Sequence, residues 1–383
     1  MYTEKIQVNE YSYSWLQRGF DWIYSKEVLK KKGSIKPGDW VSILSPNGSS
    51  LGVGIWCGED IACRRFSSHQ EQPQEIMDRV LREALDRRPQ FGAQECWRWV
   101  HAENDALAGV RIDVWGEEYV ITLASPALQV LIPLLLSSIA KIRPAKAIWG
   151  YIRAKEISSL GLLSGNGSVD GLWVQELGLQ YWVEPNRSPD AGVFGDMREL
   201  RAWMSSYWKG KEVLNLFCFT GAFSVSAVAG GAEKVCSVDL SSTYIDWVRK
   251  NMEGNGFSLS EDCFVASDAN KALERFRRKQ ELFDIVIADP PSFSHGEELW
   301  SVERDLSTLV LRCLRCLRSQ GMLIIATNHG KMSPKEFSKA ILQASYKANR
   351  PLRILKQYSP SIDHPAALSF PESRYLKCWV VQG

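Results

Sequence analysis

Between residues 212 and 328 the chain alternates near-continuous apolar runs with amphipathic ones. "EVLNLFCF", "KVCSVDL", "DCFVASD", "FDIVIADP" and "GMLIIATN" are short and rich in β-branched residues, as strands buried on both faces of a sheet must be. "GAFSVSAVAGG", "TYIDWVRKNMEGNG" and "VERDLSTLVLRCLRCLR" lie between them and carry apolar residues at helical spacing. Strands separated by helices predict a parallel sheet covered on both faces. "LRILKQYS" and "RYLKCWVVQ" add a final strand pair after the parallel series.

Upstream the pattern differs. Residues 33–68 alternate β-rich runs with Pro-Gly, Asn-Gly and Gly turns, which predicts a small β-barrel over residues 1–70. "QPQEIMDRVLREALDRR" then switches to helical periodicity. Residues 71–190 offer the strands "AGVRIDVWG", "EYVITLA" and "AKAIWGYI", an apolar helix over 127–142, and the strand pair "LWVQELGLQYWVEP". That mixture reads as an α+β domain. The expected fold class is therefore α/β: a Rossmann-like sheet over residues 191–383, preceded by the barrel and the α+β domain.

A length of 383 residues suits two or three domains, and 45% hydrophobic with 23% charged residues describes a soluble globular chain. A formal net charge of +2 neither demands nor excludes nucleic acid. Nine scattered cysteines, an odd number, point to a reducing compartment. Val310, Cys313, Leu314 and Leu317 share one helical face, which favours core packing over metal or redox work for the pair Cys313 and Cys316, and no metal site is expected. "LQVLIPLLLSSIAKI" is 15 residues long, broken by Pro133, and too short to span a membrane. The N-terminus lacks the pattern of a signal peptide, so a cytoplasmic protein is expected.

Candidate chemistry sits at the strand ends, where open α/β sheets bind ligands. The first strand ends in "FCFTG", where Gly221 lets the backbone come close and a helix N-terminus faces a carboxylate. Asp239, Asp268 and Asp289 end the next three strands, or serve there as turn residues. The Gly-x-Gly-x-x-Gly of a dinucleotide site and the P-loop are both missing. A nucleoside cofactor without phosphates, S-adenosylmethionine, fits better. In "IADPPSFSHG", Asp289 and the proline carbonyls, Pro290 first, can accept hydrogen bonds from a base edge, and Phe293 can stack on its face. The plainer reading is a loop after a core strand.

"VLNLFCFTGAFSVSA", "FDIVIADPPSFS", "AGVFGDMREL", "GVRIDVWGEEYVI" and the tail "DHPAALSFPESRYLKCW" together resemble the bacterial class I rRNA methyltransferases with an N-terminal PUA domain, the RlmI type. The likeness runs over nearly the whole chain. It implies a class I methyltransferase sheet, S-adenosylmethionine as cofactor, and RNA as partner, either 23S rRNA or an assembly intermediate. It leaves room for a homodimer. It implies that Phe217, Thr220, Gly221, Asp239, Asp268 and Asp289 line the cofactor and that Phe194, Asp196 and Arg198 close over it, with a surface salt bridge the alternative for Arg198.

One departure matters. RlmI-type enzymes methylate cytosine C5 through a cysteine thiolate placed just after the fifth strand. Here that stretch is "ATNHGKMS", with Asn328 and His329 and no cysteine. Cys313, Cys316 and Cys378 lie elsewhere. "DPPSFSHG" and "VDLSSTYIDW" are instead similar to the guanine-N7 (RlmK-type) half of a bifunctional rRNA methyltransferase, which has an Asn-containing turn at this place. Asn328 is then a candidate to hold a base edge, and His329 a weak base or a solvent-facing histidine. The expected function is an RNA base methyltransferase acting without a covalent adduct, guanine N7 first. The alternatives are a C5 enzyme using a displaced cysteine, an RNA-binding relative without catalysis, and a small-molecule methyltransferase.

Overall fold

Seven strands form one sheet in the computed structural model, which describes residues 2–295 and 299–383. They are β1 (Glu212–Leu216), β2 (Lys234–Asp239), β3 (Phe264–Ala266), β4 (Phe283–Ala288), β5 (Leu317–Thr327), β6 (Arg353–Tyr358) and β7 (Lys377–Gln382). Their spatial order is β3-β2-β1-β4-β5-β7-β6. The first five named in that order are parallel, with Val213 opposite Ile285 and Leu216 opposite Ala288, while β7 runs antiparallel to β5 and β6.

The near-continuous apolar runs are explained by burial on both faces. Leu214, Leu216, Val238, Val286, Ala288 and Ile325 point into one core with helices α3 (Ala269–Arg278), α4 (Val302–Arg315) and α5 (Pro334–Lys347). Val213, Val235, Ile285, Ile287 and Ile324 point into the other, beside Phe223 and Ala227 of helix α1 (Ala222–Ala229). Helix α2 (Ser242–Gly254) is capped by the Ser241 side chain. Helix α5 was absent from the expectation although its start is written in the sequence. Pro334 occupies the first turn, and Ser333 and Glu336 form a capping box. Helix α4 stops at Arg315, so Leu317 opens β5 instead of sharing the helical face, while Cys313 and Cys316 are core residues as expected.

The chain divides into two compact units. The first comprises residues 1–174, 183–191 and 362–373; the second comprises 175–182, 192–361 and 374–383. The first unit holds a six-stranded sheet in the order Trp22–Tyr24, Ile61–Ser67, Ser50–Trp56, Trp40–Leu44, Lys5–Val8, Val28–Lys32. It also holds a five-stranded sheet in the order Ile157–Gly165, Ala147–Arg153, Glu118–Leu123, Val110–Trp115, Cys96–His101. Val53, Ile55 and Phe66 of the first sheet share a core with helix Pro73–Asp86 and with Val110, Ile112 and Ile121 of the second. The strands Cys96–His101 and Ile157–Gly165 had not been expected. Among the described residues no helix is long and apolar enough to cross a membrane, and no group of His, Cys, Asp and Glu could hold a metal ion.

Candidate active site

The carboxyl ends of β1 to β5 gather the expected site residues within the second unit. After β1, Phe217, Phe219 and Gly221 all adopt left-handed backbone, with φ of 54°, 50° and 84°. Such conformations cost a non-glycine residue stability and persist where the surroundings enforce them. The enforcement is visible. Asp239 at the end of β2 accepts the Phe219 N–H and the Ser241 N–H, each at 3.0 Å. Thr220 is fully buried and its hydroxyl donates to the Gly192 carbonyl. Asn251, fully buried on α2, donates to the Thr220 carbonyl at 2.8 Å and accepts the Trp182 N–H at 2.7 Å. A Cβ on Gly221 would stand 2.8 Å from Val248, so only glycine lets the loop pack this closely on α2. Burial raises the Asp239 carboxyl, partly offset by the N–H groups of Ser241 and Phe219.

Phe194 is exposed and packs against Phe219 at 5.0 Å between ring centroids. Phe219 in turn meets Tyr244 edge-on. Asp196 accepts the Tyr375 hydroxyl at 2.7 Å, and its carbonyl accepts the N–H and hydroxyl of Ser361. Arg198 is buried and lies 3.4 Å from Glu176, which also takes a bidentate pair from Arg201 at 2.6 and 2.8 Å. Arg201 also donates to the Phe194 carbonyl at 2.9 Å. Asp268 caps α3, accepting the N–H groups of Asn270 and Lys271 at 2.9 and 3.0 Å. Sequence reasoning missed Glu176, Arg201, Asn251 and Tyr375, because their partners are far away in the chain.

After β4 the arrangement is different. The Asp289 carboxylate is half-buried and has no hydrogen-bond partner among the described residues. Burial pushes it up to about 7; Asp196 adds to the rise and Arg201 opposes it. Pro290 is buried, whereas Phe293 is 60% exposed and meets His329 edge-on at 5.3 Å. The Pro291 carbonyl, one of the expected acceptors, is already taken by the Trp300 indole at 2.9 Å. Trp300 also stands 6.3 Å from the Phe217 ring. Asn328 is exposed and accepts the Ser292 hydroxyl at 3.0 Å, which ties the turns after β4 and β5 together. His329 is not solvent-facing. It is buried, its Nε2 lies 2.8 Å from Glu303, and its carbonyl accepts Lys377 Nζ at 2.7 Å. Glu303 lies in the first turn of α4.

All nine cysteines are buried. Cys378 on β7 lies near enough to Asp289 and Asp196 that both raise its thiol, on top of the effect of burial. Burial pushes Cys316 up to about 11 and holds Cys313 well above the thiol range.

These residues fit S-adenosylmethionine. Asp239, Asp268 and Asp289 stand at the strand ends, with Asp196 close enough to raise Asp289, while Arg198 and Arg201 are engaged with Glu176. An acidic edge suits a cationic sulfonium and ribose hydroxyls, and is unsuited to pyrophosphate.

The family profile of S-adenosylmethionine-dependent methyltransferases matches residues 148–350, and that of the PUA-like domain matches residues 6–68. Ribosomal RNA large subunit methyltransferase I of Aeromonas salmonicida is 30% identical over 380 residues, covering 96% of each chain. The protein of that name from Tolumonas auensis is 31% identical over 384 residues, again covering 96% of each. Among solved structures, SMU.776 complexed with SAH superposes with a TM-score of 0.89 at 23% identity, covering 99% of this chain and 100% of that one. A SAM-dependent methyltransferase from Streptococcus mutans gives 0.86 at 23%, with the same coverage.

Proposed function

The chain belongs to the S-adenosylmethionine-dependent methyltransferases, and from that premise we propose that it methylates a base nitrogen of large-subunit ribosomal RNA without a covalent cysteine adduct. The observation that carries the reading is the Asp289 carboxylate, unclaimed at its strand end beside a buried Pro290 and an exposed Phe293. The rRNA substrate is brought by the relatives named for it. RNA is the partner this reading requires; a second copy of the chain is not.

The cofactor supplies an electrophilic methyl group on sulfur. Asp239 and the Gly221 turn would hold its nucleoside and amino-acid ends, and Phe194 and Asp196 would border it. Thr220, fully buried and bonded to Gly192, would brace that turn from within and not line the cofactor as expected. Asp268 already caps α3 and adds negative charge at the same edge. On the substrate side Phe293 offers an exposed face for a splayed-out base, Asp289 accepts N–H groups from its edge, and Asn328 fixes it from the next turn. Burial around Asp289 strengthens those hydrogen bonds. Positioning of this kind, without further covalent help, suffices for a nucleophile that already owns an in-plane lone pair. Guanine N7 is such a nucleophile, and it is the first candidate.

A C5 mechanism needs a thiolate. Cys378 lies in range of the acids but is fully buried, and two neighbouring carboxylates oppose its ionisation. The test is methyl transfer from labelled cofactor to total RNA, followed by nucleoside mass spectrometry, with 5-fluorocytosine RNA as a trap. The expected outcome is a methyl on a ring or exocyclic nitrogen and no trapped complex. A product of 5-methylcytidine, or a denaturation-resistant adduct, sinks the reading.

A further inference from the structure

The five-stranded sheet of the first unit has one apolar and one polar face. Trp99, Val110, Ile112, Ile121 and Ile148 fill the core on the apolar side. On the other side the ladder sets His101, Arg111, Thr122 and Tyr151 in one row, because each is directly paired with the next. Arg153 lies two residues further along the strand of Tyr151, and Arg98 is opposite Asp113 on the neighbouring rung.

The acids of this face are all engaged. Asp113 takes Arg98 at 2.8 Å, and Asp190 takes Arg153. Asp363 accepts the Arg98 N–H at 2.8 Å and lies 3.2 Å from His364. Arg111 is left over. It is half-buried, and among the described residues its guanidinium has neither an ion pair nor a hydrogen bond. Burial and the charges of Arg98 and Arg153 pull it down to about 10, with Asp113 and Asp190 opposing the fall. Beside it, the Thr122 hydroxyl is 2% exposed and unpaired, and the Nε of Arg153 is buried without a partner. Unpaired buried donors are rare in native proteins, and two of them beside an unpaired guanidinium call for a shared acceptor.

We propose that Arg111, with Thr122 and Arg153, binds a phosphodiester of the RNA substrate. An anion seated there would satisfy the idle donors together and relieve the repulsion among the three arginines. The site rests on the RNA reading given above and adds to it a second point of attachment, within the first unit. Its chemistry is that of backbone positioning: it reads phosphate and no base.

The test compares wild type with Arg111→Gln and Arg111→Lys in the full chain, by fluorescence anisotropy with an rRNA transcript across a salt series. Arg111→Gln is expected to bind roughly tenfold more weakly at low salt, with the slope of log K against log salt reduced by about 0.7–0.9. Arg111→Lys should restore the slope. Cofactor affinity by calorimetry should be equal in all three. The melting temperature of Arg111→Gln should be no lower than wild type, since Arg111 has no protein partner to lose. A wild-type slope in Arg111→Gln, or a lowered melting temperature with that slope, would assign Arg111 a structural role and overturn the proposal while leaving the RNA reading intact. Stabilisation by inorganic phosphate without a change of RNA slope would make this a free-anion site and overturns it likewise. If wild type itself shows no salt-dependent RNA binding, the RNA reading fails, and this proposal with it.

Discussion

The loops after β1 and β4 end neighbouring strands of one sheet and are built on opposite plans. After β1, three left-handed residues are locked by Asp239, Asn251 and the Gly192 carbonyl, and Thr220 has no exposure at all. After β4, the stiffness comes from two prolines, and the chemistry is left open: an unclaimed carboxylate and a ring exposed to solvent. The first loop has its polar groups satisfied by protein, so it keeps its shape with or without a ligand. The second has groups that only a ligand would satisfy. A pocket that must hold one invariant cofactor can be finished by the fold; a platform that must admit and release part of a large molecule cannot.

Substitutions at the two loops should therefore separate cofactor binding from turnover. The largest effect is expected at Asp289. Asp289→Asn should lower turnover by about 10²–10⁴-fold, a larger factor than its effect on cofactor affinity measured by isothermal calorimetry. Because acceptance requires the ionised carboxylate, wild-type turnover should rise with pH through about 7, and the variant's profile should be flat there. Stability should move the opposite way. The native carboxyl keeps its proton where the unfolded chain has lost it, so wild type is destabilised progressively as pH rises from about 4 to about 7. That penalty is at most about 4 kcal/mol, and Asp289→Asn should abolish it in urea titrations. Equal pH profiles in the two proteins would remove Asp289 from the chemistry.

Next in size is Asp239→Ala. It removes a ribose acceptor and also frees the Phe219 N–H. Cofactor affinity should fall by about 1.5–3 kcal/mol, with a lower melting temperature as well, because the left-handed loop loses its anchor. Affinity at the wild-type level would show that the loop alone, without the carboxylate, makes the cofactor end. The smallest effect is expected at Phe293. Phe293→Ala should raise the KM for RNA by about 1 kcal/mol and leave melting temperature and cofactor affinity unchanged, since the ring buries little. A drop in stability there would erase the contrast between the loops.

The parallel sheet was legible because strands buried on both faces need apolar residues at every position, and that leaves an unmistakable run. Asp239, Asp268 and Asp289 stand out in the sequence because they close or follow strand runs, whereas Asp196 follows none and was named only through the resemblance. The rest depended on contacts distant in sequence. Ile157–Gly165 is largely exposed and carries two glycines, so it shows no apolar alternation. His329 looked like a turn residue, and nothing near it reveals that Glu303 waits 26 positions upstream. Left-handed phenylalanines at 217 and 219 contradict local preference and are imposed by Asp239 and Asn251. Arg111 lies inside the expected strand "AGVRIDVWG", and nothing local singles it out, because the register that sets it near Arg98 and Arg153 does not exist until the sheet forms.

The way the chain shuttles between its two units has a consequence for its birth. Residues 362–373 belong to the first unit, after some 170 residues of the second have been made, and Asp363 accepts the N–H of Arg98 from 265 positions away. At a synthesis rate of roughly 5–20 residues per second, the strand holding Arg98 waits on the order of ten to fifty seconds for that carboxylate. Until then the first unit is unfinished, with Arg98 and His101 lacking the contacts of their last segment. Completion of the first unit waits until most of the second has been made. A nascent chain stalled before residue 362 is therefore a client for chaperones and not a working fragment.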